Sequence, residues 1–282
     1  MPDLKLAVID GTDLHYTKLI TSDPEASYID TDTALDSSRL NELEEPLSTI
    51  ISEIGKHHES AFRCFRDALG VHDEWERIYI ENMDFQKADE LASETASLVL
   101  GDSRFEKLPV VKERFFGAST PSGAMDYAGS LTGCVSKRYL LKGRPGSGKS
   151  TLLKKLAASS SARGLDMEIY SCAFDSNSLD MIIWPELDKC LFDSTAPHLY
   201  APSRPEDDVI DMYAACVTPG TDEKYEKELA DIAGRYKQAI QNGTKRLSEA
   251  KGYLDALHGI YSACADPDEI RRLCSAFAEQ LH

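Results

Sequence analysis

The stretch RYLLKGRPGSGKSTLLKKL, residues Arg138–Leu156, joins a short apolar segment to a helical pattern through a glycine-rich loop. Within it, GRPGSGKS at Gly143–Ser150 fits the pattern G-x-x-x-x-G-K-[ST], which binds phosphate when it lies between a strand and a helix. KRYLLK predicts the strand, and STLLKKLAASS has apolar residues at helical spacing that end near Gly164, a typical residue after a helix. The segment therefore predicts a strand, a phosphate-binding loop and a helix in that order.

Each part of this loop has a physical reason to hold phosphate. The glycines let backbone N–H groups turn inward around an anion, and the helix N-terminus adds the positive end of its dipole. We expect Lys149 to lie along the β- and γ-phosphates and the Ser150 hydroxyl to bind Mg²⁺. Seven of the 31 basic residues lie within nineteen positions here, which favours a polyanionic ligand. The predicted nucleotide-binding residues are Gly143, Arg144, Pro145, Gly146, Ser147, Gly148, Lys149, Ser150 and Thr151.

A phosphate loop of this kind needs a carboxylate to hold the metal, usually at the end of a neighbouring strand. Asp193 ends the apolar segment KCLFD and is the first choice, because its strand is short, apolar and runs directly into STAPH. Asp175 follows MEIYSCAF and has three open roles: contacting the metal shell, orienting the attacking water, or capping the turn DSNS. Both are candidate catalytic residues, together with Lys149.

His198 completes the set of candidate catalytic residues. Its imidazole can sense the γ-phosphate or polarise water, and the alternative is that Pro197 and His198 only end a strand. The segment GASTPSG at Gly117–Gly123 follows the apolar VVKERFF and predicts a turn after another strand.

Composition limits the classes of protein to which this chain can belong. The sequence has 282 residues, 42% of them apolar, and a net charge of −17, which argues against nucleic acid or an anionic membrane as a partner. It has no apolar run of membrane-spanning length, and its first residues lack the features of a signal peptide, so we expect a cytoplasmic protein. Seven scattered cysteines without a C-x-x-C pair indicate neither a disulfide framework nor a zinc site.

Two parts of the sequence are also similar to each other. LKLAVIDGTDLHY at Leu4–Tyr16 aligns with LDKCLFDSTAPHLY at Leu187–Tyr200, and ERIYIENMDFQKADELAS aligns with HGIYSACADPDEIRRLCS, at offsets of 183 and 182 residues. The first alignment places Asp10, Thr12 and His15 over Asp193, Thr195 and His198. The pattern indicates a duplicated unit; the alternative is that two acidic helical hairpins are alike only in composition.

Together with the trailing helices, three segments, RYLLKGRPGSGKSTLLKKL, EIYSCAFDSNSLDMIIWPEL and FDSTAPH, resemble a bacterial family of tandem P-loop ATPase-like proteins of unassigned role. The resemblance implies two units, each with its own phosphate loop. Residues 1–106 would then be the rear half of a degenerate first repeat, a strand and a helical hairpin without a loop. Residues 107–282 would be a complete P-loop NTPase repeat with a hairpin at about 222–282. A first loop would belong before Met1, so we expect one competent site per chain.

We therefore expect an α/β fold: a three-layer P-loop NTPase sandwich with a mainly parallel sheet and long appended helical hairpins. Strands should lie near 139–142, 167–172 and 189–192, and the hairpins at about 38–100 and 222–282 should pair. The expected function is Mg²⁺-dependent binding and slow hydrolysis of ATP, a nucleoside triphosphate for which no guanine-reading N/T-K-x-D motif competes.

Two alternatives to a hydrolase remain open. One is a small-molecule kinase, with Asp175 as the base on the acceptor side and Arg204 as the candidate lid arginine. The other is a non-hydrolysing, nucleotide-gated module that binds a protein partner through its acidic helical hairpins.

Overall fold

A computed structural model describes residues 29–196 and 198–280 of the protein. The strand predicted at KLAVID and the candidates Asp10 and His15 lie outside these described residues. The chain forms two compact units, one made of Met1–Ile50 and Asp255–His282 and the other of Ile51–Leu254. The predicted phosphate loop belongs to the second unit.

A six-stranded sheet forms the centre of the second unit. Its strands are β1 (Val111–Phe115), β4 (Lys137–Lys142), β5 (Met167–Ser171), β6 (Leu179–Trp184), β7 (Lys189–Asp193) and β8 (Asp208–Asp211). They lie side by side in the order β1, β5, β6, β7, β4, β8, and all neighbours are parallel except those of β6. A separate hairpin consists of β2 (Gly117–Thr120) and β3 (Gly123–Asp126). The α/β class, the mainly parallel sheet and the three predicted strands are confirmed.

Strand β6 was not predicted, and it lies between two of the strands that were. It runs antiparallel to both β5 and β7. The physical reason is the length of its connections, because a parallel crossover needs a dozen or more residues. The turn after β5 and the 3₁₀ turn Pro185–Leu187 are both shorter than that. The segment LDMIIW therefore returns beside its neighbours as an antiparallel strand.

The described residues also form nine α-helices. They are α1 (Ser37–Glu42), α2 (Glu44–Glu81), α3 (Phe85–Leu100), α4 (Ala128–Leu131), α5 (Lys149–Ala162), α6 (Met212–Cys216), α7 (Thr221–Lys224), α8 (Glu226–Cys264) and α9 (Pro267–Gln280). Each of the two segments predicted as a hairpin contains a long helix followed by a shorter one, α2 then α3 and α8 then α9. That the two helices of a segment pack as a hairpin stays a prediction. Helix α5 follows the loop as predicted and is followed by Gly164, which has a φ of +69°.

The two faces of the sheet are covered by different kinds of element. Helix α5 buries Leu152, Leu153 and Leu156 on one face, where α3 packs beside it. The side chains that alternate to the opposite face pack against Phe116 and Ala128, which belong to the hairpin region and to the four-residue helix α4. The predicted three-layer sandwich therefore has one layer of long helices and one of short elements.

The helical elements recur at the offset found in the sequence. Helices α2 and α8 begin at residues 44 and 226, and α3 and α9 begin at 85 and 267, a separation of 182 residues in both pairs. The bridges recur as well: Leu35 pairs with Ala265 in the first unit, and Met83 pairs with Val217 in the second. In both units, residues just before the long helix of one segment thus contact the turn between the two helices of the other segment. The domain boundary at residue 106 stays a prediction.

Within the second unit, α2 and α8 run antiparallel to each other. The Arg235 guanidinium donates to both carboxylate oxygens of Glu74, at 3.1 and 2.7 Å. Farther along the pair, the rings of His57 and Tyr253 stack with their centroids 5.5 Å apart. These contacts agree with the predicted pairing of the two hairpins.

Candidate functional site

The loop between β4 and α5 is built on a tight turn. The Ser147 N–H donates to the Arg144 carbonyl oxygen at 3.1 Å, with Pro145 and Gly146 as the central residues. Gly146 has a φ of +74°, and proline followed by a glycine of positive φ is the sequence of a type II turn. Gly148, with a φ of +88°, then begins α5. The turn thus leads directly into a helix N-terminus, which is the backbone arrangement that binds phosphate.

The Lys149 side chain lies back along the loop. Its Nζ is 3.0 Å from the Arg144 carbonyl oxygen and 3.6 Å from Oδ2 of Asp193. The side chain is only 13% exposed. Thr151, two residues after Lys149, is exposed on α5. The ammonium group therefore already lies beside the loop backbone, where it can reach a bound phosphate.

Asp193 and Ser150 lie at the same edge of the sheet as the loop. Strands β4 and β7 are parallel neighbours, and Asp193 is paired with Leu141, two residues before the loop. Oδ1 of Asp193 accepts the Thr195 N–H at 2.8 Å, while Oδ2 faces Lys149. The Ser150 hydroxyl accepts the Leu179 N–H at 2.9 Å, which leaves its own proton and one lone pair for a ligand. The structure thus brings the loop lysine and Asp193 together.

Asp175 lies in the turn between β5 and β6. Its side chain accepts the Asn177 N–H at 3.0 Å, and its carbonyl oxygen accepts the Ser178 N–H at 2.9 Å. The negative charge of Asp175 also acts on His72 of α2, whose pKa is lowered chiefly by burial. This placement agrees with the turn-capping alternative for Asp175.

Asp180 is a buried carboxyl group that was not among the predicted site residues. It is 7% exposed and lies on β6. Burial raises its pKa to about 6, and the negative charge of Asp193 adds to that rise, whereas His198 and Lys149 oppose it. A charged residue inside the apolar segment LDMIIW was the available signal. Asp180 and Asp193 therefore form a pair of carboxyl groups at the loop edge.

His198 is held by a residue from another part of the chain. Its Nδ1 is 2.6 Å from Oδ2 of Asp126, at the end of β3. The Tyr200 hydroxyl donates to Oδ1 of the same carboxylate at 2.6 Å, and the Ala128 N–H donates to it at 3.0 Å. Both Asp126 and His198 are mostly buried. The predicted turn at GASTPSG is a hairpin whose end supplies a partner for His198, and nothing in the local sequence signals that contact.

Helix α2 packs directly against the outside of the loop. A Cβ on Gly146 would lie 2.4 Å from the carbonyl oxygen of Glu76 in α2, and a Cβ on Gly148 would lie 2.8 Å from Cε of Met83, two residues after the end of α2. Both distances are far below an ordinary contact, so no larger residue fits at either position without a shift. The loop therefore needs glycine for its conformation and also for the close approach of α2.

Arg144, a predicted nucleotide-binding residue, is part of a network beside the loop. Its guanidinium donates to Oδ2 of Asp222 at 2.6 Å, and the buried Tyr79 hydroxyl donates to Oδ1 at 2.8 Å. The guanidinium also lies 5.3 Å from the ring centroid of Tyr213. Because Tyr79 belongs to α2, this network ties the loop to the long helix.

Much of the positive charge counted around the loop is already paired. The ion pairs are Lys137 with Asp208, Arg138 with Asp207, and Lys155 with Asp89. The Lys142 ammonium donates to the carbonyl oxygens of Ser194 and Tyr200, each at 2.5 Å. The count of basic residues in the sequence therefore overstated the charge that is free to attract a polyanion.

Three potential metal ligands also lie together on α2. The ligand atoms of His72, Asp73 and Glu76 all lie within 4.8 Å of one another. An imidazole in the set is atypical of a Mg²⁺ site, since Mg²⁺ prefers oxygen ligands. The oxygen atoms of Ser150 and Asp193 suit that ion better.

Comparison with known proteins adds no identification, because no protein family, curated protein or solved structure matches the chain. Across residues 29–196 and 198–280, no helix is both long and apolar enough to span a membrane.

Proposed function

We propose that the chain binds ATP with Mg²⁺ at the loop Gly143–Ser150 and hydrolyses it slowly. One observation carries the proposal: Lys149, Ser150 and Asp193 lie at one edge of a mainly parallel sheet, around a turn that leads into a helix N-terminus. This arrangement offers backbone donors, an ammonium group and oxygen ligands for a metal, which are the requirements of phosphoryl transfer.

The residues present suit Mg²⁺. Ser150 offers a hydroxyl group and Asp193 a carboxylate, and hard cations prefer such oxygen donors. When bound, the ion would neutralise charge on the β- and γ-phosphates. Lys149 would then exchange its contact with the Arg144 carbonyl for a phosphate oxygen. ATP is the preferred nucleotide because the sequence contains no N/T-K-x-D motif for guanine.

Phosphate release from Mg²⁺-ATP, measured without any acceptor, tests the proposal. We expect Lys149→Ala to abolish release, because the substitution removes the charge that contacts the β- and γ-phosphates. Asp193→Ala should weaken Mg²⁺-dependent nucleotide affinity about tenfold or more, by comparison with the loss of other residues around a metal. Asp175→Ala is the matched control and should leave that affinity nearly unchanged. An unchanged Asp193→Ala variant, or two bound nucleotides per chain, would contradict the proposal.

A second function is favoured by the packing of α2 on the loop. The Glu76 carbonyl contacts Gly146, and Tyr79 shares Asp222 with Arg144, so a change in the loop would act on α2 directly. In this alternative, nucleotide binding controls how the acidic helical hairpins meet a protein partner. Tight ATP binding without turnover would favour it over hydrolysis.

In the kinase alternative, Arg204 was the candidate lid arginine, and its guanidinium is engaged elsewhere. The Arg204 guanidinium donates to the carbonyl oxygens of Val135 and Gly133 at 2.9 and 3.0 Å, so it is engaged by the backbone near α4. Turnover that requires an added metabolite would restore this alternative.

A further inference from the structure

We infer that Asp126 is a positioning residue that holds His198 as its Nδ1–H tautomer and leaves Nε2 free to accept a proton from the attacking water. The inference rests on the proposed function, because it assigns a role within the hydrolysis of ATP. Asp126 lies on the β2–β3 hairpin, 72 positions from His198 in the chain.

The hydrogen bonds around Asp126 define the tautomer. Its carboxylate accepts from the Tyr200 hydroxyl and from the Ala128 N–H. Burial tends to raise the pKa of Asp126, but the hydrogen bonds from Tyr200, His198 and Ala128 outweigh it and lower that pKa. An ionised carboxylate only accepts hydrogen bonds, so the neutral imidazole must donate from Nδ1. The lone pair of a neutral His198 is therefore on Nε2.

Neighbouring groups also fix the orientation of the ring. The Phe116 ring and the imidazole are nearly perpendicular, with their centroids 4.7 Å apart. The Lys142 ammonium donates to the carbonyl oxygens of Ser194 and Tyr200, which lie on either side of His198 in the chain. The backbone N–H of His198 donates to the Thr195 carbonyl oxygen at 2.8 Å. The imidazole consequently does not depend on a ligand for its position.

This position lies at the loop edge of the sheet. The Lys142 ammonium, one residue before the loop, donates to the carbonyl oxygens of Ser194 and Tyr200, and Ser194 directly follows Asp193 at the end of β7. The chain segment that carries His198 is therefore held beside the residue that leads into the loop. Among roles for such an imidazole, sensing the γ-phosphate would need a donor at Nε2, whereas the bond to Asp126 leaves an acceptor there.

The chemical step balances with these groups. The water oxygen forms a bond to the γ-phosphorus, and its proton moves to Nε2 of His198. The bond between the γ-phosphorus and the bridging oxygen breaks, and the electron pair leaves with ADP. Asp126 stabilises the imidazolium ion that forms, and the proton passes to solvent when phosphate leaves.

The test combines ¹⁵N NMR of the imidazole with kinetics on the full chain. The His198 signals are assigned by their loss in His198→Gln, and we expect the wild type to show a protonated Nδ1 and an unprotonated Nε2. Asp126→Asn can donate to Nδ1 and should reverse the tautomer. It should lower kcat about 10²- to 10⁴-fold while leaving the Kd for ADP within about twofold. Tyr200→Phe is the matched control: it keeps the Asp126 partner of His198, and its loss of kcat should stay below about tenfold.

The outcomes separate this inference from the proposed function. A wild type with a protonated Nε2, or an Asp126→Asn variant with unchanged kcat, would overturn the inference while hydrolysis itself stands. A wild type that does not bind ATP would overturn the proposed function, and the NMR measurement would still decide the tautomer. ATP binding with no turnover would refute the catalytic role of His198 as well.

Discussion

Replacing Asp180 with asparagine should stabilise the protein, and the gain should increase with pH. The pKa of Asp180 is raised from 3.8 to about 6, chiefly by burial on β6 and then by the charge of Asp193. The folded state therefore binds this proton more tightly than the unfolded state does. The resulting stability is complete below pH 3.8 and is lost as the pH rises through about 6.

The size of the effect follows from the shift in pKa. A difference of about two units corresponds to about 3 kcal/mol of unfolding free energy at pH 8, the cost of keeping this buried carboxylate ionised. At pH 5 about half of that cost is already present. The Asp180→Asn variant has no such group to ionise, so its advantage over the wild type should increase by about 1 to 2 kcal/mol between pH 5 and pH 8.

Urea unfolding at both pH values measures this difference without added nucleotide or metal. Trp184 lies on the same strand and is fully buried, so its fluorescence in a Trp75→Phe background reports unfolding of the sheet around Asp180. Asp208→Asn on the edge strand β8 is the control, because that carboxylate is 54% exposed and its ion pair should contribute little. Equal stabilities at pH 5 and pH 8, or a variant that is less stable at pH 8, would refute the assignment of a raised pKa.

Two further substitutions test the contacts that hold the second unit together. Asp207→Ala leaves the buried Arg138 guanidinium without its partner and should cost about 3 to 5 kcal/mol in urea unfolding, whereas Asp208→Ala next to it should cost less than about 1 kcal/mol; similar losses for both would contradict a buried pair. Tyr79→Phe removes the hydrogen bond to Asp222 and should lower the unfolding free energy by about 1.5 to 3 kcal/mol, and a loss under about 0.5 kcal/mol would show that this contact does not hold α2 to the loop.

Equivalent backbone contacts recur at the same offset as the two similar sequence segments. The alignment indicates two related segments but does not say how they meet. In the second unit, Met83 pairs with Val217 and the Asp84 N–H donates to the Cys216 carbonyl at 2.7 Å. The corresponding bond in the first unit runs from the Asp266 N–H to the Ala34 carbonyl at 2.8 Å. In both units, the turn between the two helices of one segment thus contacts the residues that lie before the long helix of the other segment.

Prediction from sequence succeeded where a feature depends on neighbouring residues. The loop follows from glycine spacing, since Gly146 and Gly148 adopt positive φ values that few other residues tolerate. The strand before it and the helix after it follow from apolar periodicity. Prediction missed β6 because a short apolar segment does not reveal its direction or its neighbours.

The candidate site divides in the same way. Lys149, Ser150 and Asp193 could be selected because their residue types follow a strand or a glycine loop in a recognisable pattern. Asp126 could not, because a single carboxylate carries no local signal of its partner. The charge of Asp180 inside an apolar segment was a signal, but it did not identify Asp193 as the neighbour.

By itself, the sequence determined the glycine-rich turn between a strand and a helix, the α/β character and the long helices, because hydrogen bonding and side-chain periodicity within a few residues specify them. Only the tertiary structure decided that Asp126 contacts His198, that Asp180 is buried beside Asp193, and that α2 packs against the loop. These contacts join residues that are 13 or more positions apart in the chain. They depend on which strands become neighbours and on which helix packs against them, and no local pattern records that choice.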